Sequence, residues 1–229
     1  HHLYSKAKDS LGADVASNLR LYAENLRMRG LPVVFSLGHL SHLTDVNYWF
    51  LHETVNRKRE RSNYRMYAIR KRSGGRRFIH SVTSKLLRTQ SWINSEILQK
   101  CTPHPASYAF HGSRGIRECA SAHCGAKWLF QFDLTDFFYD ISEIDCYRIF
   151  RRLGYRSLLA FELARICTTT RLPHWCPRAT VHGEGSFWVY DPDTFRDELI
   201  DLDVPTKRPY YDRFGRLGAL AQGAPSSPM

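Results

Sequence analysis

The sequence contains no apolar run approaching the roughly 18 residues a membrane-spanning helix needs, and its first residues lack the apolar stretch of a secretion signal. Cysteine is sparse. Six Cys in 229 residues, without dense pairing, exclude a disulfide scaffold and predict reduced thiols in a cytoplasmic protein. Repeats and low-complexity tracts are absent. Acidic residues are in deficit: 22 Asp and Glu against 33 Lys and Arg leave a net charge of +11. That excludes an acidic solvating chain and points to a polyanionic partner. What remains is ordinary globular composition, 43% hydrophobic and 24% charged, which excludes disorder.

The positive charge is concentrated. Residues 51 to 100 hold thirteen Lys or Arg against Glu53, Glu60 and Glu96, a net of +10. Tyr64, Tyr67, Phe78 and Trp92 are interleaved with these cations, a mixture that suits phosphate contacts with base stacking beside them and makes nucleic acid the favoured partner. An acidic run (Asp191, Asp193, Asp197, Glu198, Asp201, Asp203) follows much later.

Leu11, Val15, Leu19, Tyr22 and Leu26 recur at helical spacing and predict a helix capped by Asp9 or Ser10 and stopped at Gly30 to Pro32. A second helix is expected from Thr44 and Asp45, carrying Val46, Trp49 and Phe50 inward. Residues 64 to 80 change to strand periodicity around Ser73-Gly74-Gly75, a hairpin signal, with Arg70, Lys71, Arg72, Arg76 and Arg77 at its tip and shoulders. Five cations on one hairpin repel each other unless something anionic lies against them. Helices are expected over 84–99, with Leu86, Leu87, Trp92, Ile93, Ile97 and Leu98 as the apolar side, and over 113–123. Trp128 to Leu134 predicts a central strand. Ser142-Glu143-Ile144-Asp145 is a capping-box signature before a helix that Gly154 ends, and 158–167 predicts another helix. Pro and Gly break residues 168 to 218 into an irregular insertion with one hairpin.

Asp133 and Asp136 lie three apart at the end of the predicted strand. A carboxylate buried there needs a cation, and a hard divalent ion is the usual solution; an Asp capping the following turn is the alternative. Cys119, His123 and Cys124, and His174 with Cys176, lack the paired spacing of a structural zinc site and read as ordinary core or surface residues.

Phe132-Asp133-Leu134-Thr135-Asp136-Phe137-Phe138 resembles the first catalytic motif of reverse transcriptases, and Gln222-Gly223-Ala224-Pro225-Ser226-Ser227-Pro228 resembles their QGxPxSP motif. Gln90-Ser91-Trp92-Ile93 and Ala109 to Ile116 match earlier motifs in order. The closest pattern is the retron-type and group II intron-like bacterial branch, over roughly residues 30 to 167 and 218 to 229. The resemblance implies an α+β right-hand polymerase fragment: fingers and a partial palm, with helices around a basic β-hairpin and an antiparallel palm sheet. It divides the chain into N-terminal helices and fingers (1–125) and a partial palm (126–229) with the insertion at about 168–218.

By the same resemblance, Asp133 with the Leu134 carbonyl would hold Mg²⁺, two ions in all, for RNA-directed DNA synthesis from dNTPs. Phe138 would be the gate against a ribose 2′-OH. Asp136, Gln222 and Gly223 would border the incoming nucleotide, with Gly223 allowing the backbone close to it. One or two of Arg70, Lys71, Arg72, Arg76 and Arg77 would grip the triphosphate. Template RNA and an RNA–DNA hybrid are the implied partners, with anti-phage defence and an effector protein following from the family's role. The resemblance puts the other catalytic carboxylates beyond Met229, so the 229 residues are expected to be an inactive N-terminal piece. A group II intron maturase, another defence-associated reverse transcriptase, a non-catalytic nucleic-acid-binding scaffold and a protein-interaction module built on the acidic insertion are the competing expectations.

Overall fold

The computed structural model describes residues 2–72, 76–109, 114–134, 136–173, 186–191, 196–201 and 217–227. The hairpin tip 73–75, the segment 110–113, Thr135, His174, Cys176 and most of the 168–218 insertion lie outside the described residues. The fold is mixed, with helices and, among the described residues, three two-stranded antiparallel sheets. No helix among the described residues is long and apolar enough to cross a membrane.

The expected first helix is two. Gly12 (φ +87°) separates α1 (His2–Leu11) from α2 (Ala13–Met28), and Ser10 bonds back to the Lys6 carbonyl (2.8 Å) instead of capping. The helix expected from Thr44 is also two. Ser36 caps α3 (Leu37–Thr44) by accepting from the His39 amide (3.2 Å), and Asn47 caps α4 (Tyr48–Val55) by accepting from the Trp49 amide (2.8 Å). That register buries Phe50 but leaves Trp49 66% exposed, against expectation.

A short helix, α5 (Glu60–Asn63), leads into the hairpin of β1 (Tyr64–Arg70) and β2 (Arg76–Val82), paired from Tyr64↔Val82 to Arg70↔Arg76. Tyr64, Met66 and Ala68 point inward on alternate positions. The next helix, α6 (Ser84–Glu96), buries Leu86 and Ile93 while Leu87 faces solvent, and α7 (Ile116–Ser121) is the shorter helix expected there.

The central strand is not formed. Residues 128–134 have no regular structure, with Trp128 83% and Phe132 88% exposed. An apolar run becomes a strand only where neighbouring strands take up its backbone hydrogen bonds, and among the described residues none pairs with it. The expected antiparallel sheet around Asp133 is therefore not present in them.

After the short α8 (Phe137–Asp140), the capping box forms as read: the Ser142 hydroxyl accepts from the Asp145 amide and the Asp145 carboxylate accepts from the Ser142 amide, opening α9 (Glu143–Leu153). Gly154 ends it at φ +106°, and α10 (Ser157–Cys167) follows. The two residues of β3 (Thr168–Thr169) pair with the two of β6 (Ala219–Leu220), so the ends of the insertion are held together. Within it, β4 (Ser186–Asp191) and β5 (Arg196–Asp201) form the one expected hairpin. A single buried cluster joins Leu26, Leu51, Tyr64, Ile93, Phe150, Leu163 and Leu220.

Candidate functional site

The basic hairpin presents all five of Arg70, Lys71, Arg72, Arg76 and Arg77 to solvent. Arg70 and Arg76 are direct cross-strand partners, an arrangement of like charges that is unfavourable without a counter-anion. Elsewhere in the basic window part of the charge is compensated: Arg59 pairs with Glu53, Arg88 with Asp45, Lys100 with Glu96, and Arg57 is buried between carboxylates. The composition therefore overstates the unbalanced charge, of which the hairpin carries five exposed cations.

The Gln222 loop lies against β2. The His80 amide donates to the Gln222 carbonyl at 2.8 Å. Gly223 has φ +97°, and a Cβ on it would stand 2.8 Å from Ile79 Cγ2 and 3.1 Å from the His80 carbonyl. The absence of a side chain at Gly223 thus lets the loop lie close against strand β2. The loop is otherwise tied down: the Ser226 hydroxyl donates to the Cys167 carbonyl (3.4 Å), the Ser227 hydroxyl to that of Ala221, and Ala224 is buried.

His80 is the joint between hairpin and loop. Its Nε2 donates to the Arg171 carbonyl (2.7 Å), its ring meets Tyr64 and Tyr139 edge-on, and its Nδ1 is buried with no hydrogen-bond partner among the described residues. Burial disfavours the imidazolium and lowers the pKa to about 4 from 6.5. An unfolded chain takes up this proton near pH 6.5 and the folded chain only near pH 4, so in that window the unfolded state binds more protons. His80 is expected to withdraw about 3 kcal/mol of stability as pH falls from 6.5 to 4. Urea unfolding midpoints across that range should drop in the native protein and drop less in His80→Gln, which keeps a donor for the Arg171 carbonyl.

A buried ionic lock grips the segment that leads into the loop, at Gly218. Arg57 (φ +61°) donates Nη1 to Glu60 (2.8 Å) and to the Arg165 carbonyl (3.1 Å), and Nη2 to Glu143 (2.6 Å) and the Thr168 hydroxyl (2.7 Å). Glu143 also accepts from Arg165 Nε (3.0 Å) and the Gly218 amide (3.1 Å). Burial alone would raise the Glu143 pKa; the Arg57 and Arg165 guanidiniums and the Gly218 amide outweigh it and hold the pKa below its usual value. A Cβ on Gly218 would fall within 2.8 Å of the Thr168 hydroxyl and collide with Arg57. The sequence puts Arg57 in a basic window suited to phosphate contacts and Glu143 in a helix-capping signature; the two lie 86 residues apart, and no local pattern signals their contact.

The Asp133 region differs from expectation. Asp133 and Leu134 are exposed, so the argument that a buried carboxylate demands a cation does not apply. Asp136 adopts a left-handed conformation (φ +53°) before α8, its carbonyl accepting from the Tyr139 amide at 2.8 Å. Phe138 is half-buried against the main core, with Phe137 at 5.6 Å. Carboxylate and carbonyl oxygens are the right donor type for Mg²⁺, which prefers six oxygens in octahedral geometry. However, no group of three or more His, Cys, Asp or Glu able to hold a metal occurs among the described residues. The donor type fits and the donor number falls short.

No family model matches the chain. Curated proteins do. It is 30% identical over 150 residues to the retron Ec86 reverse transcriptase of Escherichia coli, 64% of this chain and 46% of that protein. It is 30% identical over 141 residues to the retron Mx65 reverse transcriptase of Myxococcus xanthus, 61% of this chain and 33% of the relative. It is 29% identical over 210 residues to the retron Mx162 enzyme of the same organism, 90% of this chain and 37% of the relative. The chain spans less than half the length of these relatives. In sequence, the chain is similar to several retron reverse transcriptases over much of its length.

Proposed function

We propose that the full-length protein is a cytoplasmic, retron-type RNA-directed DNA polymerase, and that this chain supplies its fingers (1–125) and part of its palm (126–229, with the insertion at about 168–218). The observation that carries the reading is the seating of the Gln222-Gly223 loop on β2 of the basic hairpin. Two segments about 140 residues apart, each similar to a reverse transcriptase element, thereby form one surface beside five exposed cations. In this reading one or two of Arg70, Lys71, Arg72, Arg76 and Arg77 bind the dNTP triphosphate, with Gln222, Gly223 and Asp136 near the nucleotide and Phe138 discriminating against a 2′-OH. Asp133 and the Leu134 carbonyl would hold Mg²⁺ together with oxygens supplied by the rest of the full-length protein; bound there, the two ions would supply charge stabilisation for phosphoryl transfer. Template RNA and an RNA–DNA hybrid are the partners, and anti-phage defence with an effector protein is the biological setting.

The exposed Asp133 and its incomplete donor set favour one second reading, a nucleic-acid-binding scaffold without chemistry. dNTP incorporation by the full-length protein on an RNA primer-template separates the two. Mg²⁺-dependent DNA product is the expected result. Tight RNA binding with no product on any RNA template would transfer the assignment to the scaffold.

A further inference from the structure

A second cationic face lies outside the 51–100 window and outside every motif shared with reverse transcriptases. The C-terminal end of α2 meets the C-terminal end of α9. Arg29 Nη1 donates to the Arg152 carbonyl (2.9 Å), across 123 residues of sequence. Arg151 Nη1 donates to the Tyr155 carbonyl (2.6 Å), and Arg156 Nη2 donates to the Asn18 carbonyl (3.3 Å). Arg29, Arg151, Arg152 and Arg156 are all exposed, and among the described residues no carboxylate forms an ion pair with any of the four.

Cations at helix C-termini complement the helix dipole, which accounts for one donor each of Arg29 and Arg151 but not for Arg156, which precedes α10 and donates to a carbonyl inside α2. It leaves most of the five N–H groups of each arginine directed elsewhere, and it does not account for the rings beside them. The Arg156 guanidinium lies 5.0 Å from the Tyr22 ring centroid, and Tyr22 packs against Phe35 at 5.9 Å. Phe35 stacks on His39 at 5.7 Å with 14° between planes, and Phe35 is 45% exposed. The Tyr22 hydroxyl donates to the Val34 carbonyl (2.7 Å), which anchors its ring. A fixed row of rings bordered by unneutralised arginines has the two components that bind single strands, phosphate contacts and stacking platforms.

We propose that this face is a second polynucleotide-binding surface, which takes the phosphates of a single-stranded segment along Arg29, Arg151, Arg152 and Arg156 and a base on Phe35. The test uses full-length protein stripped of nucleic acid, with fluorescein-labelled oligouridine and oligothymidine of about twelve nucleotides, read by anisotropy over a salt series. Arg152→Glu is suited to it because the only Arg152 atom bonded to the α2 end is its backbone carbonyl. The expected result is about tenfold weaker binding and a salt slope reduced by about 0.7 or more, the share of one phosphate contact on a single strand. Phe35→Ala should weaken binding by about fivefold or more with the salt slope unchanged, as loss of a stacking contact requires. Thermal melts identify any variant that has lost its fold, and the other variant then carries the test. A preference for one probe assigns the strand as RNA or DNA. The proposal is overturned if the unmodified protein binds neither probe. It is equally overturned if folded Arg152→Glu and Phe35→Ala both retain native affinity and slope while Arg72→Glu on the hairpin does not. DNA synthesis is measured separately, so the loss of either conclusion leaves the other readable.

Discussion

Asp133→Asn in the full-length protein is expected to reduce Mg²⁺-dependent dNTP incorporation by about a hundredfold or more without changing the thermal unfolding midpoint. Loss of an outer-shell partner of a metal ligand already costs about 10–100-fold, so loss of a direct oxygen ligand should cost at least the upper end of that range. The stability half of the expectation comes from this structure. Asp133 is exposed and has no hydrogen bond or ion pair among the described residues, and Asn keeps its shape while removing its charge. A fall in activity at constant midpoint would therefore assign the carboxylate to chemistry. Incorporation at the native rate would remove Asp133 from the metal site and leave the rest of the polymerase reading to stand on the loop and the hairpin. A fall in activity together with a fall in midpoint would place Asp133 in a packed sheet of the full-length protein.

The features legible in the sequence are those fixed within a few residues. The capping box at Ser142 and Asp145, the Gly154 helix stop and the hairpin alternation at Tyr64, Met66 and Ala68 all form as read, because their causes are local. The Ser36 and Asn47 caps were written in the sequence as well, but the reading placed one helix start at Thr44, and the register it assumed turned Trp49 inward. The strand at 128–134 failed for a different reason. Its apolar pattern gives the propensity, whereas its formation depends on partner strands that the sequence alone does not position. The candidate site divides in the same way. The Gln222 loop and the hairpin cations were found as motifs. Their contact through His80, and the lock around Arg57, join residues from four separate parts of the chain and carry no spacing to detect.

Arg57→Ala is expected to destabilise the fold by about 3–5 kcal/mol, the usual cost of removing one partner from a buried ion pair. The substitution leaves Glu60 and Glu143, with side chains only 13% and 9% exposed, without their shared cation. It also removes the donors to the Thr168 hydroxyl and the Arg165 carbonyl, and so loosens the β3–β6 pairing that leads into the Gln222 loop. Urea unfolding measures the loss, and two comparisons identify its source. Native Glu143 has a lowered pKa, so its contribution is present above the unfolded carboxylate pKa of about 4.5 and is lost as pH falls through the folded value. In Arg57→Ala that acid-side loss should shrink, because the cation that lowers the pKa is gone. The backbone supplies the second comparison. Arg57 sits at φ +61°, a left-handed conformation that costs a side-chain-bearing residue about 1 kcal/mol and glycine almost nothing. Arg57→Gly loses the same guanidinium but relieves that strain, so it should be less destabilising than Arg57→Ala by up to about 1 kcal/mol, the reverse of the usual order at helical positions. Equal stabilities for the two variants would mean that the backbone relaxes once the guanidinium is removed, and that the lock itself imposes the turn.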